Sequence, residues 1–181
     1  MQRLSGTALV VLGLLALRPR SGYEIKQTID KTTRFFWNAS YGQIYPELRR
    51  LLSAGLIKAE DASRGTRQRT VYHLTPRGRQ ALHGWVADPA IENVELRDEM
   101  LLKLFFADAM SRRETIRHLE AMRRRHQQVA AGLREHEPLA AAQPNRMKYE
   151  VLKFGIGLHG WCADWAGKLA RELEKGREAR K

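Results

Sequence analysis

The chain is poor in cysteine, in long apolar runs and, over its first half, in acid. Cys162 stands alone among 181 residues, so no internal disulfide can frame the fold, and a reducing compartment suits it. The longest apolar run, Thr7 to Leu17, is eleven residues, against the ~20 that a bilayer-spanning helix needs. It follows Arg3 as a signal peptide would, but it ends in Arg18-Pro19-Arg20 with no small-x-small cleavage site. Apolar on every side, it reads as a buried helix. The expectation is a cytoplasmic protein with no membrane partner. Catalytic signatures are missing too. The six histidines show no metal-ligand spacing with one another or with Cys162, and there is no phosphate loop or nucleophile elbow. No enzyme, metal or cofactor is expected.

The acid deficit is local. Residues 1–87 hold 14 Lys+Arg against 5 Asp+Glu, whereas residues 88–181 hold 18 against 15. Three quarters of the net charge of +12 therefore lies in the first half. That segregation marks a half that meets a polyanion and a half that does something else. Nucleic acid is the first partner to consider, and an RNA-binding or membrane-surface module remains a rival.

Several elements can be placed from pattern. Helix one covers Leu4 to Leu17 and stops before Pro19. Ser21-Gly22-Tyr23-Glu24 is a capping box opening helix two, whose inner face is Ile25 and Ile29 and which ends near Lys31. Helix three begins near Ser40, with Gln43 three residues on. It buries Ile44, Leu48, Leu51 and Leu52, contains Pro46, and ends at Ala54-Gly55. Strands at 56–60 and 68–74 flank a polar turn at 61–66, and Thr75-Pro76 opens helix four as cap and first residue. Three helices, a hairpin and a helix make a helix-turn-helix with a wing. Asp88-Pro89 marks a boundary. Beyond it only helices are expected, at 95–107, from Ser111 to about Glu137, and from Pro144 onward.

The last two helices carry near-heptad apolar seams. One is Ile116, Leu119, Met122, His126, Val129 and Leu133. The other is Met147, Val151, Phe154, Leu158, Trp161, Trp165, Leu169 and Leu173. Such seams suit packing within the chain, between chains, or both. Gly155, Gly157 and Gly160 cost helix stability, which points either to close helix packing or to room for a ligand beside Phe154, Trp161 and Trp165. Core spacing favours packing for these aromatics.

Three segments together resemble PadR-type transcriptional regulators. They are Gly22-Tyr23-Glu24-Ile25, the stretch Tyr41-Gly42-Gln43-Ile44-Tyr45-Pro46-Glu47-Leu48 through Gly55-Leu56-Ile57, and Arg69-Thr70-Val71-Tyr72-His73-Leu74-Thr75-Pro76-Arg77-Gly78. The resemblance covers residues 4–87. It implies a mainly α fold with a small β-hairpin: a winged helix-turn-helix DNA-binding domain at 1–87, and an all-helical dimerisation domain at 88–181. It implies a repressor that binds an inverted-repeat operator on double-stranded DNA as a homodimer and is released by a signal, with a small-molecule effector an open possibility. A winged-helix adaptor without specific DNA binding is the alternative.

The outer face of helix three would then present Ser40, Tyr41, Gln43, Tyr45, Glu47, Arg49 and Arg50 to the major groove. Gln43 suits an adenine edge, and Arg49 suits guanine or phosphate. Tyr45 is as consistent with packing on helix two as with contacting DNA. Arg64, Arg67 and Arg69 ring the wing, and Lys26, Lys31 and Arg34 flank the backbone. Tyr23, Leu48, Tyr72 and Leu74 are expected in the core.

Overall fold

A computed structural model of the protein describes residues 4–62, 69–90, 98–142 and 144–175. The chain divides into two compact units, residues 1–93 and 94–181, a few residues beyond the boundary expected at Asp88-Pro89.

In the first unit, α1 (Gly6–Leu17) is the central helix, burying Ala8, Leu9, Val11, Leu12, Leu14 and Leu15. Ser5 caps it, its Oγ accepting from the Ala8 amide at 3.0 Å. Its far end is capped by a side chain. The buried Arg20 guanidinium donates to the carbonyl oxygens of Leu14 and Arg18, the latter at 3.1 Å. Burial, assisted by Arg18, lowers the Arg20 pKa. Helix α2 (Gly22–Lys31) carries the expected capping box, with Ile25 and Ile29 buried. Helix α3 (Tyr41–Ser53) runs on through Pro46. It closes in a Schellman turn: Gly55 takes φ +68, Leu56 donates to the Leu51 carbonyl at 2.9 Å, and Gly55 to that of Leu52 at 2.9 Å.

Strands β1 (Ile57–Asp61) and β2 (Thr70–Leu74) pair antiparallel, from Ile57 opposite Leu74 to Asp61 opposite Thr70. Leu56 precedes β1 rather than starting it, because its backbone is taken up by the Schellman turn. Much of the expected turn lies outside the described residues. A contact that no sequence pattern announced ties the wing to the body: Arg20 and Tyr72 exchange backbone hydrogen bonds of 3.2 and 2.9 Å. Helix α4 (Pro76–Ala87) follows, with Thr75 Oγ1 accepting from the Gly78 amide at 3.0 Å. One apolar core joins these elements, built on Val11, Leu12, Ile25, Ile29, Ile44, Leu48 and Leu51, with Tyr72 and Leu74 packed at its edge.

In the second unit, α5 (Glu99–Phe105) is capped by Asp98, and a single 3-10 turn at Ala107–Ala109 follows. Helix α6 (Arg112–Glu135) begins with the expected Ser111–Glu114 capping box. Glu137-Pro138 ends it but also opens a short helix, α7 (Glu137–Ala141), because proline fits a first helical turn. Helix α8 (Arg146–Lys175) lies antiparallel to α6: Arg112 reaches the Leu173 carbonyl, His126 meets His159, and Tyr149 donates to Glu137.

The face of α8 turned to α6 is built mostly from small residues. The buried residues are the small Gly155, Ala163, Ala166, Gly167 and Ala170, with Leu152. Leu119 and Met122 pack against Ala166 and Ala170. The first part of the large seam is left outside: Met147, Val151, Phe154, Leu158 and Trp161 are exposed, Phe154 at 65% and Trp161 at 64%, while Trp165, Leu169 and Leu173 pack at the edge of the Leu119–Met122 core. Small residues bring the two backbones close, and the bulky stripe one face further round cannot also point inward.

His126 and His159 meet across α6 and α8, Nδ1 to Nδ1, at 2.8 Å. Their Nε2 atoms find no hydrogen-bond partner among the described residues. Burial lowers both pKa values from 6.5, the positive charge of Arg125 adds to this in each case, and Asp98 opposes it at His126. A histidine whose folded pKa lies below its unfolded value binds fewer protons in the folded state. Stability is therefore held at neutral pH and lost as pH falls below about 6.5. Urea unfolding of the second unit should show a lower midpoint at pH 5.5 than at pH 7.5. His126→Leu should flatten that difference, and an unchanged difference would remove the role of the pair.

Candidate nucleic-acid interface

Helix α3 shows how one amphipathic helix makes both a core and a reading face. Ile44, Leu48 and Leu51 point inward, while Tyr41, Gln43, Tyr45, Arg49 and Arg50 point out. Tyr41 and Tyr45, one turn apart, stack with centroids 6.2 Å apart and an interplanar angle of 24°. Tyr45 also leans on α2. A Cβ added to Gly22 would stand 2.9 Å from its ring, so Gly22 makes room for it. Tyr45 is therefore partly structural, yet keeps an exposed edge. Burial raises the phenol pKa of Tyr72, the Tyr45 phenol adds to that, and the Arg49 charge opposes it.

Ser40 and Gln43 form a cap. The Gln43 Oε1 accepts from the Ser40 amide at 2.9 Å and from the Ser40 hydroxyl at 3.2 Å. Its carbonyl is thus occupied in the free protein, and Nε2 is the atom left to face a base. Glu47 does not belong to the outer face. It is 9% exposed and accepts from Ser5 Oγ at 2.9 Å and Arg50 at 3.1 Å. That joins α3 to the start of α1, an assignment that helical spacing alone could not make.

Tyr23 is corrected in the opposite sense. It is 57% exposed, and its hydroxyl accepts from Gln27 at 3.0 Å. Lys26 is half-buried and paired with Asp30, one turn along. Arg69 is paired as well, its guanidinium 2.9 Å from Glu24. Hydrogen bonds from Ser21, first from its backbone, together with Arg69 hold the Glu24 carboxyl down to about 2 despite partial burial. The capping box made half of this arrangement legible; Arg69 comes from 45 residues further along the chain. Arg64 and Arg67 lie outside the described residues.

Phe154 and Trp161 stand on the open face of α8, and Trp165 is half-buried beside the second core. The two indoles stack at 6.4 Å. These three side chains form a surface stripe more than an enclosed pocket.

A helix-turn-helix whose second helix exposes tyrosines, an amide and arginines beside an attached two-stranded wing defines a winged-helix DNA-binding protein. The comparisons make the assignment particular. Residues 11–84 match the PadR-like family of transcriptional regulators, and residues 96–174 match the C-terminal region of virulence activator alpha. Residues 11–84 are thus a PadR-family domain. The chain is 29% identical over 176 residues to the negative transcriptional regulator PadR of Bacillus subtilis, covering 91% of this chain and 96% of that one. The crystal structure of Bacillus subtilis PadR in complex with operator DNA superposes with a TM-score of 0.81 at 27% identity, covering 92% and 98% of the two chains. A PadR-like regulator from Bacillus cereus gives a TM-score of 0.81 at 27% identity, covering 94% and 99%. The matched relatives are transcriptional regulators, not enzymes. Among the described residues, no helix is long and apolar enough to cross a membrane.

Proposed function

We propose that this protein is a sequence-specific repressor that binds an inverted-repeat operator as a homodimer and is released by a signal. The observation that carries the reading is the exposed face of α3. There Tyr41, Gln43, Tyr45, Arg49 and Arg50 stand outward, opposite the buried Ile44, Leu48 and Leu51. Base edges are read from Gln43 and Arg49, while Ser40, Tyr41, Tyr45 and Arg50 hold phosphates and thymine methyls. Arg64, Arg67 and Arg69 of the wing grip the flanking backbone, and Lys26 adds a further charge. The negative regulator of Bacillus subtilis and its operator complex support the direction of control.

Residues 1–87 serve DNA binding and 88–181 dimerisation. The apolar stripe of α8 is the surface that a second copy covers, in an isologous contact that spaces two heads along one or more turns of duplex. A small-molecule signal acting near Phe154, Trp161 and Trp165 would work by changing that spacing.

Titration of a duplex from the protein's own promoter against random duplex, at physiological salt, tests the reading. The promoter should bind more tightly by orders of magnitude, and equal binding would end the repressor proposal. Gln43→Ala should lower that preference toward the small end of the ~1–3 kcal/mol of a base contact, because its carbonyl is already committed to the cap. A preference unchanged by Gln43→Ala would move base reading elsewhere.

A further inference from the structure

One carboxylate serves several guanidinium groups where the wing meets the helix-turn-helix. Glu24 Oε2 accepts from the Ser21 amide at 2.8 Å, the Ser21 hydroxyl at 2.9 Å and Arg69 at 2.9 Å. Its Oε1 lies 3.4 Å from Arg18. The charge of Arg20, whose backbone pairs with Tyr72, also feels this carboxylate. The wing is thus held at two levels: by backbone at Tyr72, and by charge three residues earlier at Arg69. Glu24 is the fixed partner, mostly covered and locked in the cap, while both arginines keep more than half of their side chains in solvent.

Phosphate contacts supply affinity without sequence information. A free arginine at the base of the wing would therefore strengthen binding to every duplex alike. An arginine already held by a carboxylate must exchange that partner for a phosphate. The exchange is favourable only where the rest of the surface has brought the phosphate into place.

We propose that Glu24 is a positioning residue that sets DNA specificity: it clamps the base of the wing to α2 and withholds Arg18 and Arg69 from phosphates on unmatched DNA. This rests on the DNA-binding reading above. It adds that an acidic side chain improves discrimination by restraining cations.

Glu24→Gln tests it, because glutamine keeps the capping box while removing the charge. On a random-sequence duplex, the slope of log affinity against log salt should steepen by about 0.9 for each guanidinium released, up to about 1.8. Random-duplex affinity should rise about three- to fivefold, and the preference for the promoter duplex should fall by up to that factor. Arg69→Ala should then remove about 0.9 of slope in the Glu24→Gln background and much less in the parent. An unchanged slope in Glu24→Gln, or an equal loss from Arg69→Ala in both backgrounds, overturns the clamp. A parent that does not distinguish promoter from random duplex sinks the repressor reading and with it the role of Glu24 in specificity, while a slope that still steepens in Glu24→Gln leaves its restraint of the arginines standing.

Discussion

Replacing Phe154 and Trp161 together by glutamate should leave a folded monomer that holds operator DNA at least ~100-fold more weakly than the parent chain. Both side chains are well exposed, so the protomer loses little of its own packing beyond the stack of Trp161 on Trp165. In a dimer the same side chains would each bury roughly 150–250 Å², and two carboxylates at the centre of an apolar contact are left unpaired. Joining two DNA-binding heads makes the second engagement intramolecular, a gain of about 10²–10⁴. Separating them forfeits that gain without touching a DNA contact. Light scattering reads the mass, and titration reads the affinity. A variant that stays dimeric and binds normally would place the interface elsewhere.

Gly78→Ala should destabilise the first unit by about 3 kcal/mol, the upper end of what overpacking costs. A Cβ there would stand 2.0 Å from the Leu56 carbonyl oxygen and 2.8 Å from Leu74 Cδ1. That carbonyl cannot yield easily. It accepts from the Thr75 amide at 3.1 Å and the Thr75 hydroxyl at 3.0 Å, and the amide of the same residue closes the α3 Schellman turn. The glycine is therefore the point where α4 rests on the joint between the recognition helix and the wing. At roughly 4–8 °C per kcal/mol for a domain of this size, the melting temperature should fall by at least ~10 °C. Gly84→Ala on the same helix is the contrast. A Cβ there meets nothing within 4 Å, so it should be neutral or stabilising, by up to ~1 kcal/mol. Equal effects from the two substitutions would remove the close-approach argument.

The two glycines show where sequence reading stops. Gly78 lies in a segment that resembles a family signature, and Gly84 does not, but only the backbone approach of Leu56 explains why the first matters. Local rules carried far in the first unit. Ser21 with Glu24, Thr75 with Pro76, and Gly55 past α3 mark element ends through bonds between residues close in the chain, so their signals survive in sequence. Glu47 and Arg20 resisted because their partners, Ser5 and Tyr72, lie far along the chain. Helical period placed Glu47 at the margin of a face, and a charged residue at a margin reads as solvent-facing until a distant hydroxyl claims it. Tyr23 failed the other way, since an aromatic near a core need not enter it.

By itself the sequence determined the winged helix-turn-helix and the segregation of basic charge into the first half. Each depends on periodicity, capping or composition, which act over a few residues. The tertiary structure decided the rest. It sent the small residues of α8 toward α6 and left the aromatic stripe outside, because closely approaching helices exclude bulk between them. It also brought Arg69 to Glu24 across 45 residues of chain, a meeting fixed by packing and pairing between distant segments.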